Sequence, residues 1–280
     1  KKLCQKFFFI LVNFYKKLCQ KFFFILVNFY KKLNLKILYK FLYLLMKYLI
    51  VADDLGVSNE RNKGILESIK NGIVTNTAIM ANGPFSKEAI EIFKRGKLLN
   101  TIGLHLNLTE GLSISKFNNI ETLVDNNTNK FIGKLNFRYK YNKGLIKKKE
   151  ILIEIEEQIK WFISNIGYYP TFINGHQHCH ILPDMCYDIS CIFKKYNIDY
   201  IRIPYEPNPK NKHCELCSII NNDAKRCSVI YGKFFRINNY FIGLSFCSKI
   251  YSVEELIESI EKIDTLDTLD TLDTLDTLDT

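Results

Sequence analysis

From residue 47 to residue 263, short apolar runs alternate with segments in which apolar residues return every three or four positions. The order opens with "KYLIVAD", passes through a helical pattern near "NERNKGILESIKNG", and returns to a strand at "IVTNTAIMA". A helix near "SKEAIEIFKRG" then precedes the strand "TIGLHLNL". Residues 111–144, rich in Asn, Gly and Lys, read as a long loop or insertion. A helix over 145–166, the short strand "PTFIN", a helix after Pro183 and the strand "DYIRIP" follow. A polar stretch, the strand "NYFIGLS" and a helix "SVEELIESIEKI" complete the pattern. Strands alternating with helices imply βαβ units, hence an α/β fold on a mainly parallel sheet, open or closed into a barrel. In such folds the chemistry gathers at the carboxyl ends of the strands, which is where polar residues carry most information.

The two ends of the chain do not share this pattern. "KKLCQKFFFILVNFY" occurs in two perfect copies, at 1–15 and 16–30, and "DTL" repeats from Asp264 to the last residue. Evolved solenoid repeats are longer and diverge, so identical short copies read as recent duplication rather than architecture. The expected organisation is a basic extension over 1–46 outside the fold, a domain over 47–263, and a low-complexity tail over 264–280. Met46 directly precedes the first strand and is the expected start of the functional domain. The net charge of +10 is concentrated in the leader, where residues 1–46 hold ten lysines and no acidic residue. Residues 47–263 hold 29 Lys+Arg against 23 Asp+Glu, without a basic cluster interleaved with aromatics, so no nucleic-acid partner is expected. Apolar runs such as "FFFILV" are too short to span a bilayer, and membrane contact through 1–46 is not expected either. Nine cysteines, odd in number and irregularly spaced, point to free thiols in a reducing, cytoplasmic compartment. The single C-x-x-C at 214–217 has no partner pair at zinc-finger spacing. Self-association is left open.

Three strand ends carry candidate ligands. The first ends in "ADDLG", with Asp53 and Asp54 side by side. Neighbours on an extended chain point to opposite sides, so the two carboxylates are expected to differ in role. The strand "TIGLHLNL" places Gly103, His105 and Asn107 on one face, which reads as a polar inner surface with room for a ligand. The third, "INGHQHCHILP", holds His176, His178 and His180, which share a face if the backbone there is extended. One or two carboxylates with several imidazoles, and positions left open, describe a catalytic rather than a structural metal site. The same set can hold iron(II) in oxygenases, whose usual all-β fold differs from this one.

Together, "KYLIVADDLG", "NKGILESIKNGIVTNTAIMANG", "IGLHLNLTEG", "PTFINGHQHCHILP" and "IRIPYEP" resemble, in order, the YdjC/ChbG family of carbohydrate deacetylases. The resemblance implies a deformed (β/α) barrel of the polysaccharide-deacetylase-like type. It implies a metal-dependent hydrolase that removes acetyl groups from N-acetylglucosamine-containing oligosaccharides. It further implies one divalent ion, magnesium or zinc, held by Asp54, His105 and His176, with Asp53 as general base. His178 and His180 are then placed for substrate binding or proton relay.

The chain departs from the family pattern at three places. Asn174 stands where members usually carry Asp before "GHQH", and Val51 where they often carry Asn or Thr. No histidine follows His213, although the family has a later His-Pro-Gly strand that offers a catalytic acid. The corresponding expectation is a barrel incomplete at its C-terminus. The alternative to an active deacetylase is therefore a truncated relative that binds sugar or metal without turnover.

Overall fold

In the computed structural model the described residues are 49–72, 74–206 and 215–246, with positions 255, 258 and 259. The repeat leader, the C-x-x-C cysteine Cys214, most of the helix "SVEELIESIEKI" and the "DTL" tail lie outside them. The described residues group into two compact units. One runs to His180 and includes Cys191–Asp199; the other comprises Ile181–Ser190 and the chain from Tyr200 onward.

The first unit is built on four parallel strands, β1 (Val51–Leu55), β2 (Asn76–Ile79), β3 (Ile102–Leu106) and β4 (Phe172–Gly175), paired in chain order. Parallel neighbours need a crossover, which helices supply. Helix α1 (Asn59–Asn71) links β1 to β2, and α2 (Ser86–Arg95) leads toward β3. Two further helices, α3 (Lys134–Asn142) and α4 (Lys148–Ile166), precede β4. Every residue of β3 and β4 is buried, as expected where both faces of a parallel sheet are covered. Phe93 of α2 and Ile155, Ile159 and Phe162 of α4 are fully enclosed in this core with Ile102, Leu104 and Leu106.

The start of α1 is fixed locally. The Ser58 side chain accepts from the Arg61 backbone N–H, a capping bond that offsets one orphan donor of the first turn. Gly56, at φ +97°, makes the sharp turn out of β1, and a side chain there would collide with Ser86. Its N–H donates to the Asn62 side chain at 2.7 Å, tying strand end to helix.

The second unit contains the short parallel pair β5 (Tyr200–Ile201) and β6 (Arg236–Ile237), with helix α6 (Glu215–Tyr231) between them in sequence. Helix α5 (Cys186–Lys195) begins in this unit's segment. The expected strand "NYFIGLS" is not formed. The strand lies earlier, at Arg236–Ile237, and Leu244–Phe246 form a 3-10 turn. The cause is Asn238, whose side chain accepts from the Ile203 N–H at 2.7 Å and donates to the Ile203 carbonyl at 2.8 Å. That amide replaces the backbone partner a longer ladder needs. Two helices lie where none was expected: α3 within 111–144, and α6 in the stretch read as polar. The architecture is nonetheless the expected α/β class with parallel strands. Among the described residues no helix is long and apolar enough to cross a membrane.

Candidate metal centre

The site begins with an irregularity in β1. Ala52 pairs with Thr77 and Leu55 with Ile79, so three steps along β1 face two along β2. The extra residue falls within Asp53–Asp54, and Asp54 takes a left-handed φ of +65°. A bulge of this kind bends a strand and re-aims its side chains. The alternation expected for an extended pair is thereby broken, and both carboxylates reach one hydrogen-bonded cluster.

The register of β3 on β4 supplies the next link. His105 and Asn174 are direct cross-strand partners. The ring Nδ1 of His105 lies 2.5 Å from the side-chain oxygen of Asn174, and the Asn174 amide nitrogen donates to Asp53 Oδ1 at 2.9 Å. A carboxylate only accepts, so the amide must turn its NH2 toward Asp53 and its oxygen toward His105. That oxygen in turn accepts from His105, which places a proton on Nδ1 and directs Nε2 inward. There Nε2 is 3.1 Å from Asp54 Oδ1. Asn174 thus serves Asp53 and His105 at once.

The same Asp54 Oδ1 lies 2.8 Å from His176 Nδ1, and the two imidazole rings stand edge to face with centroids 5.5 Å apart. Asp54, His105 and His176 each offer a ligand atom, all within 4.8 Å of one another. Two imidazole nitrogens and a carboxylate oxygen, partly shielded and with positions left open, fit a divalent ion. Burial opposes ionisation of Asp54, but hydrogen bonds and charge from His105 and His176 hold its carboxyl well below the usual carboxylate range. For His176, burial pulls the pKa down, and the hydrogen bond and charge of Asp54, joined by Glu110, more than reverse this and raise it. Arg61, from the first turn of α1, pairs with the other oxygen, Asp54 Oδ2.

The histidine stretch is not extended throughout. Residues 176–178 form a 3-10 turn in which Gln177 and His178 have positive φ. His176 enters the cluster. The His178 carbonyl accepts from Arg138 of α3 at 2.9 Å, and His180 is fully buried with its ring against Gly175. Between them Cys179 is enclosed, and burial pushes its thiol up to about 12, which makes it unreactive packing. The room expected beside Gly103 is also taken: a side chain there would lie 2.4 Å from the Phe172 ring. Asn107 is a buried strut rather than a ligand, for its side-chain oxygen accepts from the Thr109 and Glu110 N–H groups.

Two neighbours of the cluster escaped the sequence reading. Glu110 Oε2 approaches His176 Nε2 to 3.2 Å, and its other oxygen accepts from Gln177. Arg61 is the second. The only sequence signal for Glu110 was its place in "LNLTEG", one residue before a turn glycine.

A family model described as YdjC-like protein matches residues 47–271. A Danio rerio protein named carbohydrate deacetylase is 35% identical over 162 residues, 58% of this chain and 51% of its own length. A mouse protein of the same name is 27% identical over 222 residues, covering 76% of this chain and 71% of its own. An Escherichia fergusonii chitooligosaccharide deacetylase is 30% identical over 49% of this chain and 51% of its own. The chain thus spans about half the length of the Danio rerio and Escherichia fergusonii relatives. Among solved structures, a candidate cellobiose-phosphate cleavage protein from Enterococcus faecalis V583 superposes with a TM-score of 0.50 at 21% identity. That match covers 76% of this chain and 93% of the other, and supports the fold alone.

Proposed function

The chain belongs to the YdjC-like family, and on that premise we propose that it hydrolyses acetyl groups from N-acetylated carbohydrates in a metal-dependent reaction. The observation that carries this reading is the hydrogen-bonded circuit Asp53–Asn174–His105–Asp54, closed onto His176. It holds two carboxylates in different surroundings, one against two imidazoles and one against a neutral amide. Such a difference separates a ligand from a base.

In this reading Asp54, His105 and His176 hold the ion. A divalent ion there, magnesium or zinc, supplies Lewis acidity toward the acetyl carbonyl and the attacking water. Asp53, steadied through Oδ1 by Asn174, receives the proton that water gives up as its oxygen bonds to the acyl carbon. The C–N bond then breaks, the sugar nitrogen takes a proton, and acetate and a free amine leave. His178, partly exposed at the turn, is assigned to the leaving amine or the sugar. His180, which water does not reach, is assigned to relay or to support of that turn. The substrate class proposed is an N-acetylglucosamine-containing oligosaccharide, by analogy with the names of the relatives. A cytoplasmic setting belongs to the same proposal and is supported by free thiols at Cys179, Cys186 and Cys191.

Acetate release from N,N′-diacetylchitobiose tests the reading. The chain supplied with zinc or magnesium should turn over, and Asp53→Asn should lower the rate by roughly 10²- to 10⁴-fold. A wild-type chain that binds the sugar and releases no acetate would replace catalysis by binding without turnover.

A further inference from the structure

Glu110 lies outside the triad, yet the chain fixes it with unusual care. Its N–H donates to the Asn107 side-chain oxygen at 3.1 Å. Its carbonyl accepts from the Asn107 amide at 2.6 Å and from the Asn82 amide at 2.9 Å. Asn107 also donates to the Asn82 side-chain oxygen at 3.0 Å, which makes one connected amide ladder. The ladder is anchored on α4, where the buried Gln158 side chain accepts from the Asn107 N–H at 3.0 Å and donates to its carbonyl at 2.6 Å. Every backbone polar group of Glu110 is therefore held, while its side chain remains 55% exposed. A residue kept for packing would show the reverse. The carboxylate reaches the outer nitrogen of His176 at 3.2 Å, and the Gln177 amide, on a left-handed backbone, donates to the second oxygen. Positive φ at a non-glycine residue is a cost that persists where surrounding structure demands it.

We propose that Glu110 is a positioning residue for the metal centre: it accepts the Nε2 proton of His176 and so presents Nδ1 to the ion. The proposal rests on the metal reading given above. His105 is held in the opposite sense, with Nδ1–H on Asn174 and Nε2 inward. The two imidazoles thus present opposite ring nitrogens to one point, His105 hydrogen-bonded to Asn174 on its far side and His176 facing the Glu110 carboxylate at 3.2 Å, outside hydrogen-bond alignment as the side chains stand. Outer acceptors of this kind set the tautomer, orient the ring and raise its basicity.

Cobalt(II) titration of the full chain, followed by visible absorption and calorimetry, is the test, with melting of the metal-free protein as control. Glu110→Ala should weaken cobalt binding by about 10- to 100-fold while the metal-free protein still melts in a single cooperative transition. Glu110→Gln should retain most of the affinity, because its amide oxygen still accepts from Nε2–H. In the zinc-loaded wild type, imidazole nitrogen–proton correlations should place the His176 proton on Nε2, and Glu110→Ala should remove that preference. An alanine variant that binds cobalt like the wild type overturns the proposal and leaves the metal centre standing. A glutamine variant as weak as the alanine one overturns it too, in favour of direct attraction by charge. A wild-type chain that binds no cobalt overturns the metal reading, and this proposal with it.

Discussion

Asn174 shows how much one amide decides. It donates to Asp53 and accepts from His105, and no other side chain of its size does both with fixed polarity. Asn174→Asp places a second carboxylate at about 2.9 Å from Asp53, where like charges cannot both ionise and one pKa is raised. A carboxyl whose folded pKa is raised contributes stability at low pH and loses it as pH climbs through that value. Relative to wild type, the variant should therefore fall further behind at pH 8 than at pH 5 in urea midpoints. Equal gaps at both values would show that the amide proton is not needed. The sequence displayed the ligand candidates plainly, because three histidines at alternate positions and an Asp pair are hard to miss. It concealed the polarity of Asn174, which depends on its being the cross-strand neighbour of His105. Glu110 was hidden for a similar reason: its partner is 66 positions away in sequence, and only the loop's amide ladder brings the two together.

At the scale of elements, α4 carries a polar stripe turned inward. Glu150, Glu154 and Gln158 are spaced four apart, a pattern that a sequence alone assigns to the solvated face of a helix, yet all three are buried. Glu150 accepts from the Thr122 N–H and hydroxyl at 2.7 and 2.6 Å. Glu154 accepts from the Ile114 and Ser115 N–H groups at 3.0 and 2.9 Å, and from Gln158. The stripe fastens the irregular chain that follows β3, including the loop that bears Glu110. Glu154→Leu leaves two backbone donors without acceptors and should cost about 1–3 kcal/mol for each, read from denaturant unfolding. Apolar runs announced the strands and α2 because burial there is apolar. Helix α6 escaped notice because its buried positions, Cys217, Ile220, Ala224, Cys227 and Tyr231, hold a single large aliphatic residue and are set among Asn and Asp. Their spacing of three and four is nevertheless a clean helical period. Helix α3 was concealed by its single fully enclosed residue, Phe137, in a lysine- and asparagine-rich stretch.

For the whole molecule, the cluster links proton uptake to stability. His176 has a raised pKa because Asp54 and Glu110 outweigh its burial. Its contribution to the metal-free fold is fully present below the ordinary value of 6.5 and is lost as pH rises through the raised one. A cation must displace that proton, so the gain from metal should grow over the same window. Melting curves with and without zinc should diverge as pH rises above 6.5. Zinc at a hundred times its dissociation constant should add about 2.7 kcal/mol. Asp54→Asn should abolish the divergence; a variant that still responded to zinc would place the ion elsewhere.

The bulge in β1 means that the sheet and the site call for different lengths of chain. Remove Asp54, and Ala52, Asp53 and Leu55 can face Thr77, Ala78 and Ile79 one to one, with Leu55 still directed into the core. The left-handed residue disappears with it, and so do the pairs with Arg61, His105 and His176, so a chain shortened by one should take up no cation while its sheet ladder closes without a bulge. Comparing its unfolding free energy with that of Asp54→Asn would separate the cost of the extra residue from the cost of its charge. Most lesions that destroy a site also weaken the protein around it. Here the smallest possible deletion should leave a regular sheet with nothing to do.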